Sequence, residues 1–128
     1  MSSEIASLSD ILTGTDSEQH VIKIKGKNGV DKIIKLWVRK DIAWSSAADI
    51  VTKCLLTNAR TGEVTVDIVK YYSLIWDALV ERVEPEIPKT HLIKVRADVW
   101  KQIASVFPSP DEAMRLINIT RIEEENLG

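Results

Sequence analysis

The stretch His20-Val21-Ile22-Lys23-Ile24-Lys25-Gly26-Lys27-Asn28-Gly29-Val30-Asp31-Lys32-Ile33-Ile34-Lys35-Leu36-Trp37-Val38-Arg39 reads as two β-strands around a turn. Residues 20–25 alternate, Asn28-Gly29 supplies the turn residues, and residues 33–39 are rich in β-formers. The register follows from the faces. A two-residue loop at Asn28-Gly29 sets Ile22 opposite Lys35 and Lys23 opposite Ile34, mixing apolar with charged. A three-residue loop with Gly29 left-handed at a bulge sets Ile22 opposite Ile34 and His20 opposite Leu36. That register gathers Ile22, Ile24, Ile34, Leu36 and Val38 on one face for burial and leaves Lys23, Lys25, Lys35, Trp37 and Arg39 on the other. The bulged register is the expected one.

Outward from the hairpin the pattern turns helical. Upstream, Ile5, Leu8, Ile11 and Leu12 share one side of a short helix over residues 4–12, with Gly14 placed to end it. Downstream, Ala47, Ile50, Val51, Cys54 and Leu55 keep the 3.6-residue period over 46–56, with Ser45 as N-cap. The longest helix spans 68–83, through Ile68, Tyr72, Ile75, Trp76, Leu79 and Val83, capped by Asp67 and ended by Glu84-Pro85-Glu86-Ile87-Pro88. Residues 91–95 suit a short strand or an extended arm, and 98–106 a further helix through Val99, Trp100, Ile103 and Val106. Ser109-Pro110-Asp111-Glu112 starts a last helix, with Ser at the N-cap and Pro at N1. Its acidic tail, Glu123-Glu124-Glu125-Asn126, opposes the helix dipole, so that end is expected to fray. The fold class is α+β: an N-terminal β-hairpin packed on a bundle of about four or five amphipathic helices. Three parts are expected, an acidic segment over 1–19, a hairpin-plus-helices core over 20–107, and a C-terminal helix with its tail over 108–128.

With 128 residues, 45% of them hydrophobic, the chain has material for one core without a disulfide or metal. The single cysteine, Cys54, cannot form an internal bridge and falls on the apolar side of its helix, where it reads as a small core residue in a reducing compartment. Met1-Ser2-Ser3-Glu4 lacks a basic leader, and no apolar run nears the roughly 20 residues of a membrane span. A cytoplasmic location is expected, and no membrane contact. Asn118-Ile119-Thr120 matches a glycosylation acceptor, which is inert without secretion.

The usual constellations of catalysis are missing from the sequence. His20 and His91 lie far apart with no second ligand type spaced to match a metal. No nucleophile elbow surrounds any serine. Gly26-Lys27-Asn28-Gly29 joins two strands, whereas a phosphate loop leads from a strand into a helix. Glu81, Glu84 and Glu86 cluster around Pro85, but acids at a helix end more often solvate it than perform acid–base work. No enzyme activity and no cofactor are expected.

Charge is segregated. Residues 1–19 carry four acids and no base, while residues 20–40 carry seven bases against one acid, although the net charge is only −2. Such a patch steers partners without making the whole chain adhere to polyanions. Lys23, Lys25, Lys35 and Arg39 beside Trp37 can hold a nucleic-acid backbone and stack a base; the plainer reading is solvation and edge protection of an exposed sheet. Trp76 and Trp100 lie on apolar helix faces and belong to the core. Trp37 and Trp44 flank the junction of hairpin and helix, where exposed tryptophans serve as interface anchors.

Taken in order, Ile33-Ile34-Lys35-Leu36-Trp37-Val38-Arg39-Lys40, the loop ending Thr61-Gly62-Glu63-Val64, the helix Asp67-Ile68-Val69-Lys70-Tyr71-Tyr72-Ser73-Leu74-Ile75-Trp76, and Val99-Trp100-Lys101-Gln102-Ile103 resemble the tail assembly chaperones of long-tailed bacterial and archaeal viruses. The likeness covers about residues 20–107 and rests on the order and character of the segments. It implies a small non-catalytic protein in the host cytoplasm that holds a long helical tape-measure protein and recruits tube subunits around it. The expected partner-binding residues are Lys23, Lys25, Lys35, Trp37, Arg39 and Trp44, and a homo-oligomer is compatible with the pattern. The alternatives are a small nucleic-acid-binding protein using the basic hairpin face and a minor structural protein of the virion.

Overall fold

The computed structural model describes residues 4–116. Its elements run α1 (Leu8–Ile11), β1 (Ser17–Lys25), β2 (Asp31–Arg39), α2 (Trp44–Cys54), β3 (Leu55–Thr57) and β4 (Val64–Val66). There follow α3 (Ile68–Leu79), β5 (Val80–Glu84), a 3-10 helix (Lys89–Lys94), α4 (Ala97–Ala104) and α5 (Pro110–Leu116). The α+β class holds. The expected acidic tail Glu123-Glu124-Glu125-Asn126 lies outside the described residues.

The hairpin adopts the register that the faces demand: Ile22 lies opposite Ile34 and His20 opposite Leu36. The Gly26 N–H donates to Val30 O (2.8 Å) and the Gly29 N–H to Gly26 O (2.9 Å), with Gly29 at φ +75°. This is the three-residue loop closed by a left-handed glycine, whose twist matches that of the strands. Ile22, Ile34, Leu36 and Val38 are buried. β1 begins earlier than its alternation suggests, because Ser17, Glu18 and Gln19 continue the ladder opposite Arg39, Val38 and Trp37.

Four expectations are corrected. The short helix expected over residues 4–12 is a single turn, Leu8–Ile11, boxed by Ser7 and Asp10 and followed by an extended Leu12. The helix expected over 68–83 stops at Leu79, and Val80–Glu84 pairs antiparallel with β2, giving a sheet of order β1-β2-β5. Val38 pairs Val80 and Trp37 pairs Arg82, so Glu81 is the extra residue of a bulge. The bulge turns Val80 and Val83 to the same side despite their spacing of three. Pairing the open edge of β2 outweighs continuing the helix. The first long helix starts at Trp44 with Ala43 as N-cap, and it ends at Cys54 because residues 55–57 pair with 64–66 across a loop closed by the Asn58 N–H to Glu63 O (2.8 Å). Residues 91–95 form neither strand nor arm: after Pro88 the chain closes i→i+3 turns, the first from the His91 N–H to Pro88 O (2.8 Å). Asp67 does cap α3, accepting from the Lys70 N–H at 3.1 Å, and Ser109 caps α5, accepting from the Glu112 N–H at 3.2 Å.

One cluster joins the inner sheet face to the helices, through Leu36, Val51, Cys54, Tyr71, Ile103 and Ala113. Cys54 is fully buried, and burial pushes its thiol pKa up, as a core role requires. Tyr71 is enclosed on α3, and its hydroxyl donates to Pro108 O at 2.7 Å, tying α3 to the chain that leads into α5. Burial, with smaller contributions from Tyr72 and Glu112, holds its phenol well above the ordinary value of 10.0.

Two outcomes follow for stability. Gly29→Ala meets no atom within 4 Å at its new Cβ, so urea unfolding should show only the backbone cost of a left-handed residue, about 1 kcal/mol. Tyr71→Phe should cost about 1 kcal/mol through the lost hydrogen bond. The folded state holds the Tyr71 proton more tightly than the unfolded chain, so that stabilisation is complete below pH 10 and is lost as pH rises further. Above pH 10 the wild-type stability should therefore fall more steeply than that of Tyr71→Phe.

Candidate functional site

Two surfaces stand out, and the first is the outer face of the sheet. Alternation places Lys23, Lys25, Lys35, Trp37 and Arg39 there together, as the sequence implies. The third strand adds Glu84 opposite Lys35 and Arg82 opposite Trp37. Acids then meet two of the four expected bases, and Glu84 offsets the added Arg82. Arg39 pairs with Glu81 (Nε–Oε1 3.3 Å), Lys25 with Asp31, and Arg82 with Glu84. The Arg82 guanidinium lies 4.7 Å from the centre of the Trp37 ring, so a cation already covers the aromatic face that a base would need. Among the described residues, Lys23 and Lys35 have no ion-pair partner, nor do the hairpin's Lys27, Lys32 and Lys40. The expected cation–aromatic platform is half neutralised, and its aromatic face is covered.

Trp44 stands apart. It is the first residue of α2 and is 78% exposed, away from the core that its neighbours Ala47, Ile50 and Val51 enter. Its exposure fits an anchor role, and its position on a helix end separates it from the sheet face.

The second surface was not singled out in the sequence. An apolar groove of about 280 Å³ opens between α3, the 3-10 helix and α4. Ile68, Val69 and Tyr72 form one wall, Leu92 and Ile93 the other, and Trp100 closes one side. Leu92 is buried and fastens the 3-10 helix to the core, while its neighbour Ile93 points outward and is 71% exposed. Ile68 and Val69 are also more than half exposed. Behind them, aromatic rings stiffen the floor. Tyr72 meets Trp100 edge-on at 5.7 Å and Tyr71 at 5.1 Å, and Trp76 sits 6.3 Å from both Trp100 and Phe107. Trp100, expected in the core, is thus the bridge between core and groove. Burial also raises the Tyr72 phenol above its ordinary value, so the groove carries neutral hydroxyls and hydrocarbon at neutral pH.

This chemistry suits hydrophobic capture. The groove holds neither histidine nor carboxylate among its lining residues. Among the described residues no three His, Cys, Asp or Glu side chains converge as metal ligands, and no helix is long and apolar enough to cross a membrane. Searches against protein-family models, curated proteins and solved structures return no match to this chain.

The pairing on the sheet face makes a quantitative prediction. Of the four bases expected on this face only Lys23 and Lys35 are unpaired, so replacing both with alanine should lower the log–log salt slope of any duplex-DNA binding by about 2, measured by fluorescence anisotropy. A comparable further drop on replacing Lys25 and Arg39 would mean that those two abandon their acids for phosphate.

Proposed function

We propose that this chain is a non-catalytic protein-binding module acting as a viral tail assembly chaperone, holding a tape-measure-like helical partner and recruiting tube subunits. The observation that carries the reading is the apolar groove beside α3. Its exposed aliphatic walls match the stripe that an amphipathic helix presents at i, i+3, i+4 and i+7. Its aromatic floor is rigid, so little conformational entropy is lost when a helix settles on it. In this reading the hairpin packed on the helices is the scaffold, and the segregated charges orient the bound helix. Trp44 offers a second contact for tube subunits.

The order of segments that resembles tail assembly chaperones supports the same reading and supplies its biological content. The runner-up, nucleic-acid binding through the hairpin, is weakened by the pairing of Lys25 and Arg39 and by Arg82 over Trp37.

The test is affinity capture from cells producing the virus, after nuclease treatment, with co-purifying proteins identified by mass spectrometry. A long, helix-rich partner accompanied by tube-like subunits is the expected result, retained at moderate salt. Ile93→Asp alters an exposed position and should leave the fold intact while lowering the partner's affinity at least about tenfold, the effect of losing one buried aliphatic contact and burying a charge in its place. Recovery of nucleic acid alone, before nuclease treatment, would replace this reading with the runner-up.

A further inference from the structure

Residues 4–12 carry a second apolar surface that nothing in the fold covers. Ile5 is 97% exposed, Leu8, Ile11 and Leu12 are each more than half exposed, and α1 buries no residue. Leu8 and Ile11, three apart, share one side of the single turn α1, and Ile5 and Leu12 flank it. The turn is preformed: the Ser7 N–H donates to Asp10 Oδ2 (2.8 Å) and the Asp10 N–H to Ser7 O (3.1 Å). The segment is also purely acidic, since Glu4, Asp10, Asp16 and Glu18 are accompanied by no base before His20.

The groove beside α3 has the opposite character. Lys70, Lys94 and Lys101 each directly follow a groove-lining residue, Val69, Ile93 and Trp100, and all three are exposed. Among the described residues none of them has an ion-pair partner. Asp67 and Asp98 adjoin the lining residues Ile68 and Ala97 in the same way, but Asp98 is paired with Arg96. The three lysines still outnumber the one remaining acid, and an acidic apolar segment complements the groove in both apolarity and charge.

We propose that the groove between α3 and α4 receives the N-terminal amphipathic segment of a second copy of this chain. Chain geometry selects the second copy over the chain's own segment. The segment is tethered at the far end of β1, where the Lys40 N–H donates to Asp16 O (3.1 Å) and the Gly14 N–H to Asp41 Oδ2 (3.3 Å). The groove lies toward the other end, where Arg96, between the lining residues Val95 and Ala97, donates to Lys25 O at 2.7 Å. β1 separates these ends by about 27 Å, whereas the four residues from Asp16 back to Leu12 reach about 14 Å and the single turn of α1 adds about 6 Å more. One short segment covers less area than a stable interface needs, so reciprocal exchange under two-fold symmetry, which doubles the contact, is the closed form of the assembly. In the absence of a partner the exchange would shield both apolar surfaces. It stands whether or not the partner is a tape-measure protein.

Sedimentation equilibrium from micromolar to millimolar concentration tests it. The wild type should form a reversible dimer. Leu8→Ser with Ile11→Ser in one variant, and Val69→Ser with Ile93→Ser in another, should each raise the dimer Kd at least about tenfold. All four positions are exposed, so circular-dichroism melts at concentrations below the dimer Kd should be unchanged. Leu8→Cys in one tagged chain and Ile93→Cys in another should give an oxidative cross-link only when the two are mixed. A wild type that stays monomeric at millimolar concentration overturns the proposal and leaves capture of a helical partner standing. So does a dimer indifferent to the N-terminal pair. Cross-linking within a chain carrying both cysteines, at a yield independent of concentration, overturns it in favour of the chain's own groove.

Discussion

The ladder on both sides of β2 is the constraint on which the other elements depend. Ile34, Leu36 and Val38 alternate into the core, with Leu36 wholly buried, so this strand cannot slip by one residue without turning Lys35, Trp37 and Arg39 inward. Its far edge must also be paired, because an open edge leaves N–H and C=O groups without partners beside an apolar core. That requirement ends α3 at Leu79 and converts the following residues into β5. Arg96 then reaches back to the Lys25 carbonyl and sets α4 against β1. The groove exists because α3 and α4 are each held by the sheet from a different side.

The hairpin was legible because two independent signals agree there, the period-two alternation and the turn residues Asn28-Gly29. The caps Asp67 and Ser109 were legible for the same reason, since a cap is a local interaction with a local sequence signature. β5 was not. Val80 and Val83 are three apart, the spacing of a helix face, and only the bulge at Glu81 makes that spacing fit a strand. No local rule separates those outcomes; the decision belongs to β2, some 40 residues upstream. β3 and β4 failed similarly, because Leu55 continues the apolar period of α2 and its partner Val66 lies beyond the loop.

The site was half legible. Sequence placed Lys23, Lys25, Lys35, Trp37 and Arg39 on one face, and they are there. What it could not show is the pairing of Arg39 and the covering of Trp37, since Glu81 and Arg82 join that face only through the unexpected strand. A sum of charges along a segment overstates a patch whenever an acidic strand pairs beside it. The groove left a fainter signal. Ile68 was assigned to the core face of α3, and Val69 beside it was left over; Leu92-Ile93 likewise is an adjacent pair of which a single buried stripe can use one member. Adjacent aliphatics at the start of an amphipathic helix widen its apolar arc beyond what its own core can cover.

That surplus has a consequence for which apolar surfaces can meet. A net charge of −2 gives little overall repulsion, yet the chain leaves Ile68, Val69 and Ile93 exposed on one side and Ile5, Leu8 and Ile11 on another. The two apolar surfaces carry opposite local charge, lysines near the groove and acids along the N-terminal segment. Unlike surfaces attract and like surfaces repel, so groove-to-groove and segment-to-segment contacts are electrostatically disfavoured while groove-to-segment contact is favoured. Charge segregation therefore does what a large net charge does in other small proteins. It restricts which apolar contact forms, and it leaves the groove open to an acidic amphipathic helix that binds more tightly.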